Sequence, residues 1–248
     1  MRLNATPACQ MLCCGICSAC RIPQRRRPHL RAGVAASSGT AAAAHARVEM
    51  HAFELVPSNA AMLTSLVTLS GIPATVHALA VTNQSGSRVW AADSGRPGFE
   101  ATGALRHALR GRGRRGGWVR TVALDDFIDA HAIRNVTFLS VDTEGWDGLV
   151  LRGAARALSR RAVALVEFEY IRRMEQVQGP HALRSTVEWL GTLGYTCFYQ
   201  DYHGHLARAS APCWRDEFAA VHPMGWTNLV CAHQPEVVAI AQRRVYRA

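Results

Sequence analysis

Three carboxylates fall within six positions of the stretch FLSVDTEGWDGLVLRGA (138–154): Asp142, Glu144 and Asp147. They follow an apolar run, where a buried strand should give way to a helix. Further acids stand at comparable points, with Glu54 closing VEMHAFE and Glu167 alternating with Glu169 through ALVEFEY. In an open α/β sheet the ligand lies beyond the carboxyl ends of the strands. An acidic rim there is wrong for phosphate, which calls for amide donors or arginine. It suits a hydroxyl-rich ligand, a cationic one or a hard metal ion. A carboxylate at a strand end typically takes both hydroxyls of a ribose. S-adenosylmethionine combines a ribose with a positive charge and no phosphate. The alternative is Mg²⁺ held by Asp142, Glu144 and Glu167 for phosphoester hydrolysis. Glu144 and Asp147 also open a helix, whose dipole favours acids by about 0.3–1 kcal/mol. Asp142, at the very end of the strand, is harder to assign to the helix.

The elements that must position these groups are legible as alternating apolar runs and helical patterns. VEMHAFEL (48–55), ATVHALAV (74–81), VTFLSVD (136–142), AVALVEFEY (162–170), YTCFYQD (195–201) and WTNLVCAHQ (226–234) read as strands. Helical spacing marks 57–69, 146–158 and 181–193, with a short helix IDAHAI that Asp125 is placed to cap. RVWAAD (88–93) reads as a hairpin annex. Six strands and their connecting helices predict an α/β domain with a Rossmann-like, doubly wound, mostly parallel sheet, the last pair free to run antiparallel.

The formal charge of +10 is carried entirely by arginine; the chain has no lysine, which excludes Schiff-base and P-loop lysine chemistry. Seven of the arginines precede the first acid, Glu49, so the segment 1–46 is a basic, Cys-, Arg- and Ala-rich leader and 47–248 the folded domain. Such a leader predicts a disordered or targeting segment: a transit peptide to chloroplast or mitochondrion, otherwise a cytoplasmic protein. With the leader set aside the chain is close to neutral, and no nucleic-acid partner is expected. The Gly- and Arg-rich segment 96–120 has only Phe99 and Trp118 as aromatics, is weakly periodic, and reads as a solvated loop rather than an RNA contact. Cys9, Cys13, Cys14, Cys17 and Cys20 have ligand-like spacing, but no second cluster follows, so no metal is expected and palmitoylation is the other use. Cys197, Cys213 and Cys231 read as buried thiols in a reducing compartment. No apolar stretch approaches the roughly 18–20 residues of a membrane span.

HAFELVPSNAAML (51–63), VHALAVTNQSG (76–86), VRTVALDDFI (119–128), VDTEGWDGLVLRGA (141–154) and VALVEFEY (163–170), in this order and spacing, resemble the FkbM-family methyltransferases. The resemblance runs from about Val48 to Gln200. It implies a class I S-adenosylmethionine-dependent fold and methyl transfer, mostly to oxygen, here of a small-molecule or glycan hydroxyl. It implies cofactor binding by Glu54, Asn59, Leu79, Ala80 and Asp142, with Glu54 on the ribose and the chain at Leu79 and Ala80 lining the adenine pocket. Asp142 would face the sulfonium end and Glu144 the substrate, which makes these two the catalytic candidates; His77 and His203 are other possible bases. Trp146 and Asp147 stand where the family often has a small residue and a glutamate, and Leu55 replaces a proline.

The departure is upstream. The family opens on an apolar strand that ends in an acid and a glycine-rich turn, whereas this chain has RRRPHLRAGVAASSGTAAAAHA (25–46) before Glu54. Gly33 and Gly39 would be remnants of that turn and AAAAHA its helix. The expectation is a sheet whose first strand is missing or degenerate. With it comes a second reading, a catalytically inactive methyltransferase-like module or a truncated gene product.

Overall fold

The computed structural model describes residues 9–14, 48–92, 116–201, 205–220 and 226–243. Its strands are β1 (Cys9–Cys14), β2 (Val48–Phe53), β3 (Ala74–His77), β4 (Ala80–Thr82), β5 (Arg88–Ala92), β6 (Gly116–Ala123), β7 (Val136–Val141), β8 (Val163–Ile171), β9 (Thr196–Gln200), β10 (Leu206–Arg208) and β11 (Trp226–Ala232). Its helices are α1 (Pro57–Ser70), α2 (Leu124–Ala130), α3 (Asp147–Arg152), α4 (Ala155–Ser159), α5 (Arg173–Gln178), α6 (Ala182–Thr192) and α7 (Pro235–Arg243). Eight strands form one sheet in the order β10-β9-β11-β8-β7-β1-β2-β3, and β4-β6-β5 form a small second sheet. Neighbours from β3 to β8 are parallel, whereas β8/β11, β11/β9 and β9/β10 are antiparallel. The α/β class is as expected, but the sheet is mixed rather than mostly parallel.

The expected missing first strand is present. CQMLCC, counted above as leader, forms β1 at the centre of the sheet, in register with β2 from Cys9↔Val48 to Cys14↔Phe53 and with β7 on its other side. The proposed remnants of the glycine turn, Gly33 and Gly39, lie outside the described residues, as do AAAAHA, Cys17, Cys20 and His203.

Three local readings also change. ATVHALAV is two strands, because the chain leaves the main sheet after His77 and joins the small one at Ala80. The helix read as 146–158 is two, α3 and α4, divided at Gly153. Asp125 caps α4 rather than its own helix: buried, its carboxylate accepts the Arg156 N–H at 2.7 Å and the Ala157 N–H at 2.9 Å. Those are orphan donors of α4's first turn, so α2 and α4 are tied together by one side chain.

Helices α2, α3, α4 and α6 cover one side of the sheet. Leu124, Phe127, Ile128, Val150, Leu151, Leu158, Leu183, Val187 and Leu190 join Phe53, Leu139, Val141, Val166, Phe168 and Tyr170 in one core. Each large side chain there contributes about 1.5–3 kcal/mol by leaving water. Cys197 and Cys231, opposite one another on β9 and β11, form a disulfide, and Cys213 is exposed. This corrects the reading of three buried thiols and removes it as evidence for a reducing compartment.

At the β2–β3 edge the core turns polar. His51 and His77 meet at 3.1 Å between Nδ1 and Nε2, within a ring cluster completed by Phe53, Phe127 and His131. One imidazole must donate to the other, so the contact does not survive protonation of both. Burial, then the charges of His51 and His131, lowers His77 to about 4. Burial also lowers His51, partly offset by Glu49. Both folded values lie below the unfolded one, so unfolding takes up protons as pH falls from about 6.5 towards 4. The two histidines thus contribute a drop in melting temperature as pH falls through that window, superimposed on the opposite contribution of buried acids whose pKa is raised. In His77→Phe the drop should be shallower; an unchanged pH profile in thermal melts would sink this account.

Candidate functional site

The site is built at the carboxyl ends of β2 and β7. Glu54 follows β2 directly and is buried; its Oε1 accepts the Val56 N–H at 2.7 Å, which fixes the carboxylate at the entry to α1. Asn59, in the first turn of α1, is buried with its Nδ2 lacking a hydrogen-bond partner among the described residues. Beside this strand end lies a cavity of about 260 Å³. Leu55, Leu79, Ala80 and Val81 form one apolar wall, and Trp146 with Leu149 close it from the β7 side. Thr143, Ser87 and Thr121 supply polar atoms. Predominantly apolar walls with a few placed polar groups are what a flat heterocycle requires.

On the far side of the 143–146 turn the acids gather. Asp142, Glu144 and Glu169 bring carboxylate oxygens within 4.8 Å of one another. Glu167, which the sequence had grouped with Asp142 and Glu144, instead accepts a hydrogen bond from Asn228 Nδ2 at 3.0 Å. The two glutamates share a face of β8, and the one nearer the carboxyl end of the strand reaches the cluster.

Asp147 organises the group. It is fully buried; its Oδ2 accepts the Thr143 hydroxyl at 3.0 Å and the Gly145 N–H at 3.2 Å, and its Oδ1 accepts the Glu169 N–H at 3.2 Å. One carboxylate therefore joins the β7 exit turn to β8. The turn between carries Glu144 at φ 56° and Gly145 at φ 94°. Left-handed backbone is costly for glutamate, and the surrounding hydrogen bonds hold it there.

Crowding sets the protonation. Burial, reinforced by Asp142, Asp147 and Glu144, pushes Glu169 up to about 9. Burial and the Asp142 charge push Asp147 up to about 7. Such a group attracts positive charge and holds protons.

The structure thus brings Asp142 and Glu144 together and puts Leu79 and Ala80 on the wall of the adjoining cavity; Glu54 and Asn59 sit at the β2–α1 junction, next in the chain to the lining residues Phe53 and Leu55 but not themselves part of the lining. Of the other candidate bases, His77 is held in the ring cluster. Sequence reasoning put Glu169 among the strand-end acids but chose Glu167 as the partner of Asp142 and Glu144, and it missed Asp147 as their brace. It also missed the hairpin's share of the cavity, for which the alternation in RVWAA was the available signal.

The family model described as the methyltransferase FkbM domain matches residues 32–204. No curated protein and no solved structure matches the chain.

Proposed function

The chain belongs to the FkbM methyltransferase family, and from that premise we propose that it transfers a methyl group from S-adenosylmethionine to a hydroxyl oxygen of a small molecule or glycan. The observation that carries the cofactor half of this reading is the apolar cavity beside Glu54 at the carboxyl end of β2. The parallel strands lie in the order β3-β2-β1-β7-β8, so the winding reverses between β1 and β7. Doubly wound sheets take their ligands at such a reversal, and Asp142 and Glu144 follow β7 directly. The donor set also fits: a buried carboxylate for a pair of ribose hydroxyls and, among the described residues, an unsatisfied amide N–H at Asn59 and no cationic side chain on the cavity wall.

In this reading Leu79, Ala80 and Val81 hold the adenine, Glu54 the ribose hydroxyls, and Asp142 the charged end. Bound there, the cofactor supplies an electrophilic methyl group on a positively charged sulfur. The chain aligns the acceptor hydroxyl with that methyl group and takes its proton as the new carbon–oxygen bond forms. Burial and the neighbouring acids favour the protonated form of Glu169. The proton therefore passes to a carboxylate oxygen of Glu144, with Asp142 as its neighbour. The argument for an inactive relative rested on a missing first strand and a missing glycine-rich turn; β1 occupies the place of the strand, and the positions proposed for the turn lie outside the described residues.

The test is a calorimetric titration of the whole chain with S-adenosylmethionine. Binding is expected, weakened about 10- to 100-fold by Glu54→Ala, the scale of a hydrogen-bonded charge. A folded chain that does not bind overturns the cofactor assignment. Binding indifferent to Glu54→Ala removes Glu54 from the site.

A further inference from the structure

We propose that the outer face of the β5–β6 hairpin is a docking surface for single-stranded nucleic acid, independent of the methyl-transfer reading. The two strands pair antiparallel, with Arg88 opposite Arg120 and Trp90 opposite Trp118. Side chains alternate across a strand. Val89, Ala91, Val119 and Thr121 therefore turn inward, where Val89 and Thr121 line the cavity and Ala91 and Val119 are buried. Arg88, Trp90, Trp118 and Arg120 share the outward face.

Three features set this face apart. Trp118 is 63% exposed, and its ring meets Trp90 edge to face at 5.6 Å, leaving indole surface open to solvent. Arg88 and Arg120 are like charges directly opposite one another, a destabilising arrangement in a strand pair, and neither forms an ion pair with a described carboxylate. The segment 88–120 carries eight arginines against two acids, Asp93 and Glu100, whereas beyond it and the leader acids outnumber arginines. In sequence, the basic residues beyond the leader are thus densest between Arg88 and Arg120, the two that the strand pair itself carries.

Exposed ring faces beside guanidinium groups that have no described carboxylate partner are the combination that binds single strands: bases stack on the rings and phosphates pair with the arginines. The arginine-rich segment was discounted in the sequence because aromatics are sparse in it. Strand pairing adds Trp90 of β5 to the segment's own Trp118, and the two become neighbours only when β5 meets β6. An anionic membrane would also attract the arginines, but insertion calls for aliphatic side chains beside the rings. The outward positions of the paired strands are arginine, tryptophan and, at the end, Ala92 opposite Gly116, with no long aliphatic side chain among them.

The experiment is fluorescence anisotropy of a labelled single-stranded RNA of about a dozen nucleotides, and of the DNA of the same sequence, titrated with the full chain over a series of salt concentrations. Trp118→Ala and the double variant Arg88→Ala/Arg120→Ala are compared with the parent, and thermal melts confirm that these surface changes leave the fold intact. Binding of either strand that Trp118→Ala weakens about tenfold or more supports the proposal, and the preferred strand tells which source is bound. The double variant should lower the salt slope by about 1.4, at roughly 0.7 per phosphate contact. Absence of binding overturns it. So does binding unchanged in both variants, which would trace to the leader's arginines. Capture by anionic vesicles that the RNA does not compete for would overturn it in favour of a lipid surface.

Discussion

Asp147→Ala is expected to lower the melting temperature by about 6–12 °C and to abolish measurable affinity for S-adenosylmethionine. The substitution removes the acceptor of three hydrogen bonds at once, from the Thr143 hydroxyl and from the N–H groups of Gly145 and Glu169. Two of those donors are backbone amides at a site without room for bulk water. Leaving buried polar groups unpaired costs about 1–3 kcal/mol each. Some of that loss is offset, because the same carboxyl is held at about 7 by burial and by Asp142. A net loss of about 3 kcal/mol corresponds to the stated shift for a chain of this size. The turn that carries Glu144 at positive φ then has nothing to hold it, and Asp142, Glu144 and Glu169 lose their common geometry.

Asp147→Asn separates the brace from the charge. It keeps one acceptor oxygen and the volume, so it should retain most of the stability lost by the alanine variant. The sign of its pH dependence is also fixed. A carboxyl whose folded pKa is raised stabilises fully below its unfolded value near 4 and loses that contribution as pH rises through 7. Asp147 therefore contributes a fall in stability across pH 4–7, opposite in sign to the contribution of His51 and His77, and it is read as the difference between the parent and Asp147→Asn profiles. Thermal melts of the three proteins over that range decide the matter. Equal melting temperatures for parent and Asp147→Ala would mean that the brace holds nothing.

What could be read in the sequence was whatever depended on local pattern. β2, β7 and β8 are runs of apolar and β-branched residues ended by acids, and α6 shows its inward stripe of Leu183, Val187 and Leu190 without help from the fold. What escaped depended on partners distant in the chain. β1 has three cysteines among its six residues, which by type alone suggest ligands. Only β2 and β7 on either side make it a strand. Glu167 and Glu169 are two residues apart on one face of β8, so alternation could not tell which of them meets Asp142; register and strand length decide. Asp147 was read correctly as a helix-opening acid. Its carboxylate is nevertheless turned back onto the preceding turn and across to β8, a burial that no periodicity announces. The hairpin's contribution to the cavity was hidden because its second strand begins only at Gly116, far along the chain from β5.

Gly153→Ala is expected to cost about 1–3 kcal/mol, a melting temperature lower by roughly 3–10 °C, and to weaken binding in the cavity. The glycine is not there for its backbone freedom: it has ordinary helical angles, φ −68° and ψ −10°, at the end of α3. It is there for space. A methyl group on its α-carbon would collide with the carbonyl oxygen of Thr82 in β4, and backbone cannot swing aside as a side-chain tip can. The glycine's own carbonyl accepts the Asp125 N–H at 2.7 Å, which pins this point to the start of α2 as well. The close approach of α3 to β4 sets the width of the cavity, since Leu149 comes from α3 while Ala80, Val81 and Thr82 are β4 itself. A methyl group at 153 therefore wedges apart the walls that would grip the adenine, and stability and affinity should fall together. Gly191→Ala supplies the contrast. That glycine lies in α6 with nothing within 4 Å of the added carbon, so alanine should stabilise the helix by about 0.5–1 kcal/mol and leave binding untouched. If Gly153→Ala melts like the parent while Gly191→Ala gains, the α3–β4 contact is looser than drawn and the cavity is not shaped by it. If Gly153→Ala loses stability but binds S-adenosylmethionine as well as the parent does, the contact is real but the ligand lies elsewhere.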